Sequence, residues 1–190
     1  MFNAMNSGLL FLISTVFDLF IFLLIVRLIL VWSGASYFDP FTQLIVKLTD
    51  FVIKPLRRIV PNIRRYESAS FLLIILLDTI KFFIICTITF GFPNLVGILI
   101  MAAGDVIKGI MQIFFYAIIL QAILSWVQPQ TPINHLLMQV TAPMMQPLRR
   151  IIPRINGIDI TPIPALIILQ LLIIIIASPI MAIGLALTAG

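Results

Sequence analysis

Charge is what this chain has least of. Asp, Glu, Lys and Arg make up 10% of its 190 residues, where a soluble domain carries about a quarter. A water-facing surface cannot be assembled from that supply. There is a single cysteine, Cys86, so no intrachain disulfide can form, and its place in an apolar run marks it as a buried, inert thiol. His135 is the only histidine and has no cysteine near it, which excludes the usual zinc spacings. No G-x-x-x-x-G-K-S/T, G-x-G-x-x-G or G-x-S-x-G pattern occurs. The chain therefore does not read as an enzyme. No catalytic, cofactor-binding or metal-ligating residue is assigned, and no cofactor is expected. No Lys or Arg precedes the first apolar stretch and no small-residue cleavage pattern follows it, so that stretch reads as a retained span.

What is present is oil. Hydrophobic residues make up 62% of the chain, and the mean hydropathy is +1.20. A spanning helix needs roughly 20 mostly apolar residues, and four stretches qualify. Residues 8–32 carry Asp18 and Arg27; residues 70–90 carry Asp78 and Lys81. Residues 107–127 start at Lys108 and contain Gln112 and Gln121, and residues 163–187 hold Pro179, expected to kink them. Residues 94–104 are apolar but half a span long. They are expected to form an interfacial or re-entrant segment, because joined to the third span they would exceed the bilayer thickness.

Between the paired spans lie two arms, at 41–54 and 133–146. In the first, Phe41, Leu44, Ile45, Leu48 and Val52 follow the spacing of one helical face, opposite Gln43, Lys47, Asp50 and Lys54. In the second, Ile133, Leu136, Leu137, Val140 and Met144 oppose Asn134, His135, Gln139 and Thr141. Each arm opens after a helix-stopping proline, Pro40 or Pro132. Such helices lie flat at a membrane surface or pack on the protein's own spans, and the pattern is compatible with both.

The basic residues gather at the ends of the arms. The heptapeptide Pro55-Leu56-Arg57-Arg58-Ile59-Val60-Pro61 recurs 92 residues later as Pro147-Leu148-Arg149-Arg150-Ile151-Ile152-Pro153. At the same offset Pro40 falls on Pro132, Thr49 on Thr141 and Glu67 on Asp159, while Trp32 and Trp126 match at an offset of 94. The chain thus reads as two tandem copies, 1–91 and 92–190. The expected fold is an all-α membrane protein: four transmembrane helices, with an interfacial amphipathic helix and a Pro-bracketed basic turn in each copy. Four spans put both basic loops on one side, and the positive-inside rule makes that side cytoplasmic, with both termini outside. The net charge of +5 is confined to these loops. It points to anionic phospholipid, at about 1 kcal/mol per basic residue near the surface, and not to nucleic acid.

This order of span, Trp, proline, arm, basic heptapeptide and second span resembles the YggT/YlmG family of integral membrane proteins over essentially the whole chain. The segment 156–162, with Gly157, Asp159, Thr161 and Pro162, is similar to that family's Gly-x-Asp-x-Ser/Thr-Pro element. The first copy departs from it, with Arg64, Arg65 and Glu67 in that region, and Arg27 is replaced by Gln121 in the second copy. The resemblance implies a protein of the bacterial inner membrane. It also implies links to membrane-protein or cytochrome assembly, to envelope roles, and to osmotic or ionic stress. It implies no reaction.

Two groups of residues are candidates for function. The intramembrane polar set is Asp18, Arg27, Asp78 and Lys81; an Asp at a helix centre costs about 2.5–3.5 kcal/mol on insertion scales unless satisfied. Asp78 and Lys81 are at i,i+3 and can pair. Asp18 and Arg27 lie on opposite faces and cannot, so Arg27 is expected to snorkel to the interface and Asp18 to find Lys81, Thr79 or a proton. These residues build either an ion or proton path or a structural interhelical clasp. The clasp is the favoured reading, because the fourth span offers only Gln170 and Ser178. The second group is Arg57, Arg58, Arg149 and Arg150. They either set topology or dock lipid and a partner, oriented by the structural prolines Pro55, Pro61, Pro147 and Pro153. Asp159 is expected to cap the last span, with Pro162 or Pro164 in its first turn. The function expected is a non-enzymatic accessory protein that docks on anionic lipid and on a membrane-protein partner, with homo-oligomers possible. The alternative is a small ion or osmolyte channel or transporter.

Overall fold

The computed structural model describes residues 2–58, 60, 67–152 and 159–189, and every regular element among them is helical. In order these are α1 (Phe2–Ser33), α2 (Pro40–Arg57), α3 (Ser68–Phe90), α4 (Leu95–Val127), α5 (Pro132–Ile151), α6 (Pro162–Leu172) and α7 (Ser178–Ala189). A π-helical turn, Ile173–Ala177, joins α6 to α7. Four stretches are long and apolar enough to cross a membrane: Asn6–Ser33, Ser68–Thr89, Leu95–Val127 and Pro162–Thr188. The protein is an all-α, multi-pass membrane protein. Its outward faces are lined with Phe11, Leu12, Leu19, Ile167 and Ile175, all exposed, as expected where the solvent is lipid.

The third span differs from expectation. Residues 95–104 are not a separate segment but the first third of α4, continuous through Val127. Its 33 residues are about 50 Å long at about 1.5 Å per residue, more than the roughly 30 Å hydrocarbon core. Packing explains the continuity. A Cβ on Gly97 would lie 2.7 Å from the carbonyl oxygen of Gly184 in α7, and one on Gly184 would lie 2.6 Å from the backbone nitrogen of Met101. The two backbones touch, so residues 95–104 gain a full helix partner that the sequence pattern does not disclose. α4 is the hub, packing also on α1, α3, α5 and α6.

Local chemistry sets the helix boundaries. α1 stops at Gly34 (φ 71°), and Ala35 N–H reaches back to the carbonyl of Leu30 at 3.0 Å. α2 and α5 start alike. Asp39 accepts from Thr42 N–H at 2.9 Å and Thr131 from Asn134 N–H at 3.3 Å, with Pro40 and Pro132 in the first turn. The two prolines therefore begin the arms rather than stop what precedes them, since a first-turn proline has no N–H to waste. Pro179 acts as expected of a helix disruptor. Ahead of it the helix widens by one residue per turn, and Ser178 N–H bonds Ile173 instead of the i−4 carbonyl.

The arms pack differently from their apparent amphipathic pattern. In α2 the buried line is Thr42, Ile45, Thr49 and Ile53, whereas Phe41, Leu44, Leu48 and Phe51 are exposed. In α5 Asn134 and Thr141, which the periodicity puts on the polar face, are buried with Leu136, Val140 and Met145. Each arm therefore buries a narrow mixed stripe against the spans and leaves apolar side chains facing outward. Gln139 Nε2 ties α5 to the end of α1, donating to the carbonyls of Ser33 and Gly34, each at 3.0 Å.

Candidate functional site

The basic heptapeptides are helical where they are described. Pro55 lies inside α2 and Pro147 inside α5; Arg57 is the last residue of α2, and Arg149 and Arg150 belong to α5. Both prolines are exposed, and each costs its helix one i−4 hydrogen bond close to the C-terminal end. The first residues of the expected Pro-bracketed turns thus form the last turns of α2 and α5. Pro61 and Pro153, with residues 59, 62–66 and 154–158, lie outside the described residues.

Within each doublet the two arginines have different fates. Arg57 Nη2 pairs with Glu67 Oε1, and Arg149 Nε pairs with Asp159 Oδ2 at 2.9 Å. The acid stands ten residues after the arginine in both copies. Arg58 and Arg150 are exposed. One arginine of each pair is consumed internally and the other is presented outward. Asp159 also accepts from Thr161 N–H at 3.0 Å, two residues on, so it helps to satisfy the start of α6 with Pro162 in the first turn. Burial raises the Asp159 carboxyl, but its bonds from Thr161 and the Arg149 charge outweigh this and hold it below the ordinary 3.8.

Arg27 does not snorkel. It is 2% exposed and turns into the protein, where Nε and Nη2 grip Glu67 at 2.9 and 3.0 Å. Nη1 donates to Thr49 Oγ1 at 2.7 Å and to Asp50 Oδ1 at 2.8 Å. Ser70 Oγ donates to Glu67 at 2.6 Å. A planar fork meeting a planar carboxylate is the geometry that makes burying this charge tolerable. Burial likewise raises Asp50, and the bonds from Arg27 and Lys54 bring it below 3.8. Asp50 and Asp159 therefore contribute stability at neutral pH, lost only as pH falls through those lowered values. In the second copy Gln121 stands at the place of Arg27, and Thr141 Oγ1 lies 2.5 Å from its Oε1. The repeat keeps the contact and drops the charge.

The other polar centre lies mid-span between α1, α3 and α4. Lys81 Nζ meets Asp78 at 2.6 Å, Asp18 at 2.9 Å and Asp105 at 2.5 Å. The structure thus brings together Asp18, Asp78 and Lys81, and adds Asp105, which stands at i,i+3 to Lys108 just ahead of the expected third span. Thr79 is not Asp18's partner, since it donates to its own Ile75 carbonyl at 2.7 Å. Three carboxyl groups meeting one ammonium stitch three spans together. Trp32 stacks edge-on against Phe114 at 6.4 Å, and Trp126 is largely exposed.

Known proteins are similar to this chain in sequence. The CCB3/YggT family pattern matches in two tandem segments, residues 6–88 and 100–180. A protein called YggT from Escherichia coli (strain K12) is 33% identical over 183 residues, covering 95% of each chain. A Vibrio alginolyticus protein is 40% identical over 162 residues, 80% of this chain and 83% of its own. One from Haemophilus influenzae is 30% identical over 161 residues, 84% of this chain and 86% of its own. No solved structure matches. With the family pattern present twice and relatives aligned along most of their length, the chain belongs to the CCB3/YggT family.

Proposed function

We propose that the protein is a non-enzymatic accessory protein of the bacterial inner membrane. Its two arms face the cytoplasm and dock on anionic phospholipid and on a membrane-protein partner. The observation that supports this is the division of labour within the doublets: Arg57 and Arg149 are ion-paired, while Arg58 and Arg150 are exposed. Beside Arg58, α2 exposes Phe41, Leu44, Leu48 and Phe51 together with Lys47 and Lys54. An apolar surface edged by cations suits the boundary between acyl chains and phosphate. A guanidinium meets phosphate through two parallel bonds, which an ammonium cannot do. A place in envelope or membrane-protein assembly, or in the response to osmotic stress, accords with this reading.

Replacing Arg58 and Arg150 together by Lys keeps every charge and removes the fork. The variant is expected to insert normally and to lose its enrichment of phosphatidylglycerol over neutral lipid after detergent extraction. It is also expected to lose partner capture by a photo-crosslinker placed at Lys47 or Gln146. Enrichment and capture equal to wild type would reduce the doublets to topology signals. A second reading, a small ion or osmolyte channel or transporter, is favoured by one observation: Asp18, Lys81, Asp105 and Lys108 line a mid-span cavity of about 410 Å³. A selective current in proteoliposomes that Asp18→Asn abolishes would put that reading first.

A further inference from the structure

We propose that the mid-span cavity between α1 and α4 binds the ring of an isoprenoid quinol, a neutral ligand dissolved in the bilayer. The site is separate from the basic arms, and the inference does not rest on them. The cavity, of about 410 Å³, has the ordinary size of a small-molecule site. It lies near the middle of two spans. Asp18 and Phe22 line it from within Asn6–Ser33, and Lys108, Gln112 and Tyr116 from within Leu95–Val127. Phe22 and Tyr116 are 46% and 59% exposed, so at this depth the cavity opens sideways to the acyl chains. Lys108 most needs a partner: an ammonium inside a bilayer is costly unless something bonds it, and it has no ion pair among the described residues.

The two walls are equivalent stretches of the two copies. At the offset of 94 that matches Trp32 with Trp126, Ser14 falls on Lys108, Asp18 on Gln112 and Phe22 on Tyr116. All six line the cavity. The copies have diverged here into opposite chemistry. Lys108, Gln112 and Tyr116 recur every fourth residue along one face of α4. Each offers an N–H or O–H that has no hydrogen bond among the described residues. On α1, Asp18 gives Oδ1 to Lys81 at 2.9 Å and, with its side chain 58% exposed, keeps the other oxygen as an acceptor. One wall donates and the other accepts.

That division selects the ligand. A hydroquinone ring carries a hydroxyl at each of two opposite edges, and a hydroxyl both donates and accepts. One can donate to Asp18 while the other accepts from Lys108 or Gln112, with the ring among Phe22, Phe82 and Tyr116. The isoprenoid chain then leaves between Phe22 and Tyr116 into the lipid. The oxidised quinone only accepts, so it would suit the α4 wall and set a carbonyl against the Asp18 carboxylate. An ion would have to cross the acyl chains to arrive at this opening, whereas a quinol already lives among them.

The test is anaerobic equilibrium binding to the full chain in nanodiscs, with empty nanodiscs as the blank. The probes are decylubiquinol, decylubiquinone and the dimethyl ether of decylubiquinol, with a menaquinol analogue beside them. Wild type is expected to retain about one quinol per chain, about tenfold above quinone and ether, the worth of one charge-assisted hydrogen bond. Retention of either type of quinol ring supports the proposal. Lys108→Met should lower quinol and quinone retention alike, by about tenfold. Asp18→Asn should instead bring the quinol down to the level of the quinone. Wild-type retention no greater than that of empty nanodiscs, or equal for quinol, quinone and ether, overturns the proposal. So does quinol retention undiminished in both variants. The wild-type comparison decides even where a variant fails to fold.

Discussion

Glu67 is the residue on which the first repeat closes. It is buried, and it receives Arg27 through two bonds, Arg57 through an ion pair and Ser70 through a hydroxyl. Removing its charge takes away the ion-pair partner of Arg57 and leaves the buried Arg27 with Asp50 as its one remaining carboxylate. Glu67→Gln is therefore expected to destabilise the protein by about 3–5 kcal/mol, the usual cost of breaking a buried pair from one side. The pair Arg27→Gln with Glu67→Asp copies what the second repeat does with Gln121 and Asp159, and should cost less than either Glu67→Gln or Arg27→Gln alone. Thermal unfolding in detergent measures this; a double variant worse than both single ones would contradict the clasp. This centre was only half legible in the sequence. Asp78 and Lys81 declare themselves by i,i+3 spacing, and Asp18 has few other places to go. Arg27 and Glu67 are 40 residues apart, and near a span's end an arginine that snorkels and one that turns inward have the same local sequence. The one available signal was the alignment of Glu67 with Asp159.

Helix boundaries and spans were readable because length and hydropathy dictate them in a bilayer, and the π-turn before Pro179 follows from a missing N–H. The fusion of residues 95–104 into α4 was not, because it depends on contact between distant backbones. Gly97 and Gly184 carry that contact, and their substitution tests it. A Gly-to-Ala change inside an exposed helix normally gains about 0.5–1 kcal/mol, and Gly8, where an added methyl meets nothing within 4 Å, should behave so. Gly184→Ala would press its methyl to 2.6 Å from the Met101 backbone and 2.7 Å from the Gly97 carbonyl, atoms that cannot swing aside. It is expected to destabilise by about 1–3 kcal/mol. Equal thermal stability of the Gly8→Ala and Gly184→Ala proteins would mean that α4 and α7 are not in close backbone contact. The arms show the same limit at the level of a face. Periodicity identified the helices, but Thr49 and Thr141 turn inward to bond Arg27 and Gln121, Thr42 and Asn134 are buried while bonding back to Asp39 and Pro129, and their neighbours Phe41, Leu44 and Leu48 are turned out.

On the scale of the whole molecule, two copies of one unit share a hub helix and repeat one contact scheme. In each copy an arginine is held by an acid ten residues on, a threonine of the arm contacts a long side chain of the preceding span, and a second arginine points outward. The proposed function requires both outward arginines to meet the same face of the membrane. With Cys86→Ala as background, single Arg58→Cys and Arg150→Cys proteins can be labelled by an impermeant maleimide in sealed vesicles of known orientation. Both positions are expected to react only from the cytoplasmic side. Labelling of the two from opposite sides would contradict the proposed function, because the arms could not then engage one lipid surface or one partner.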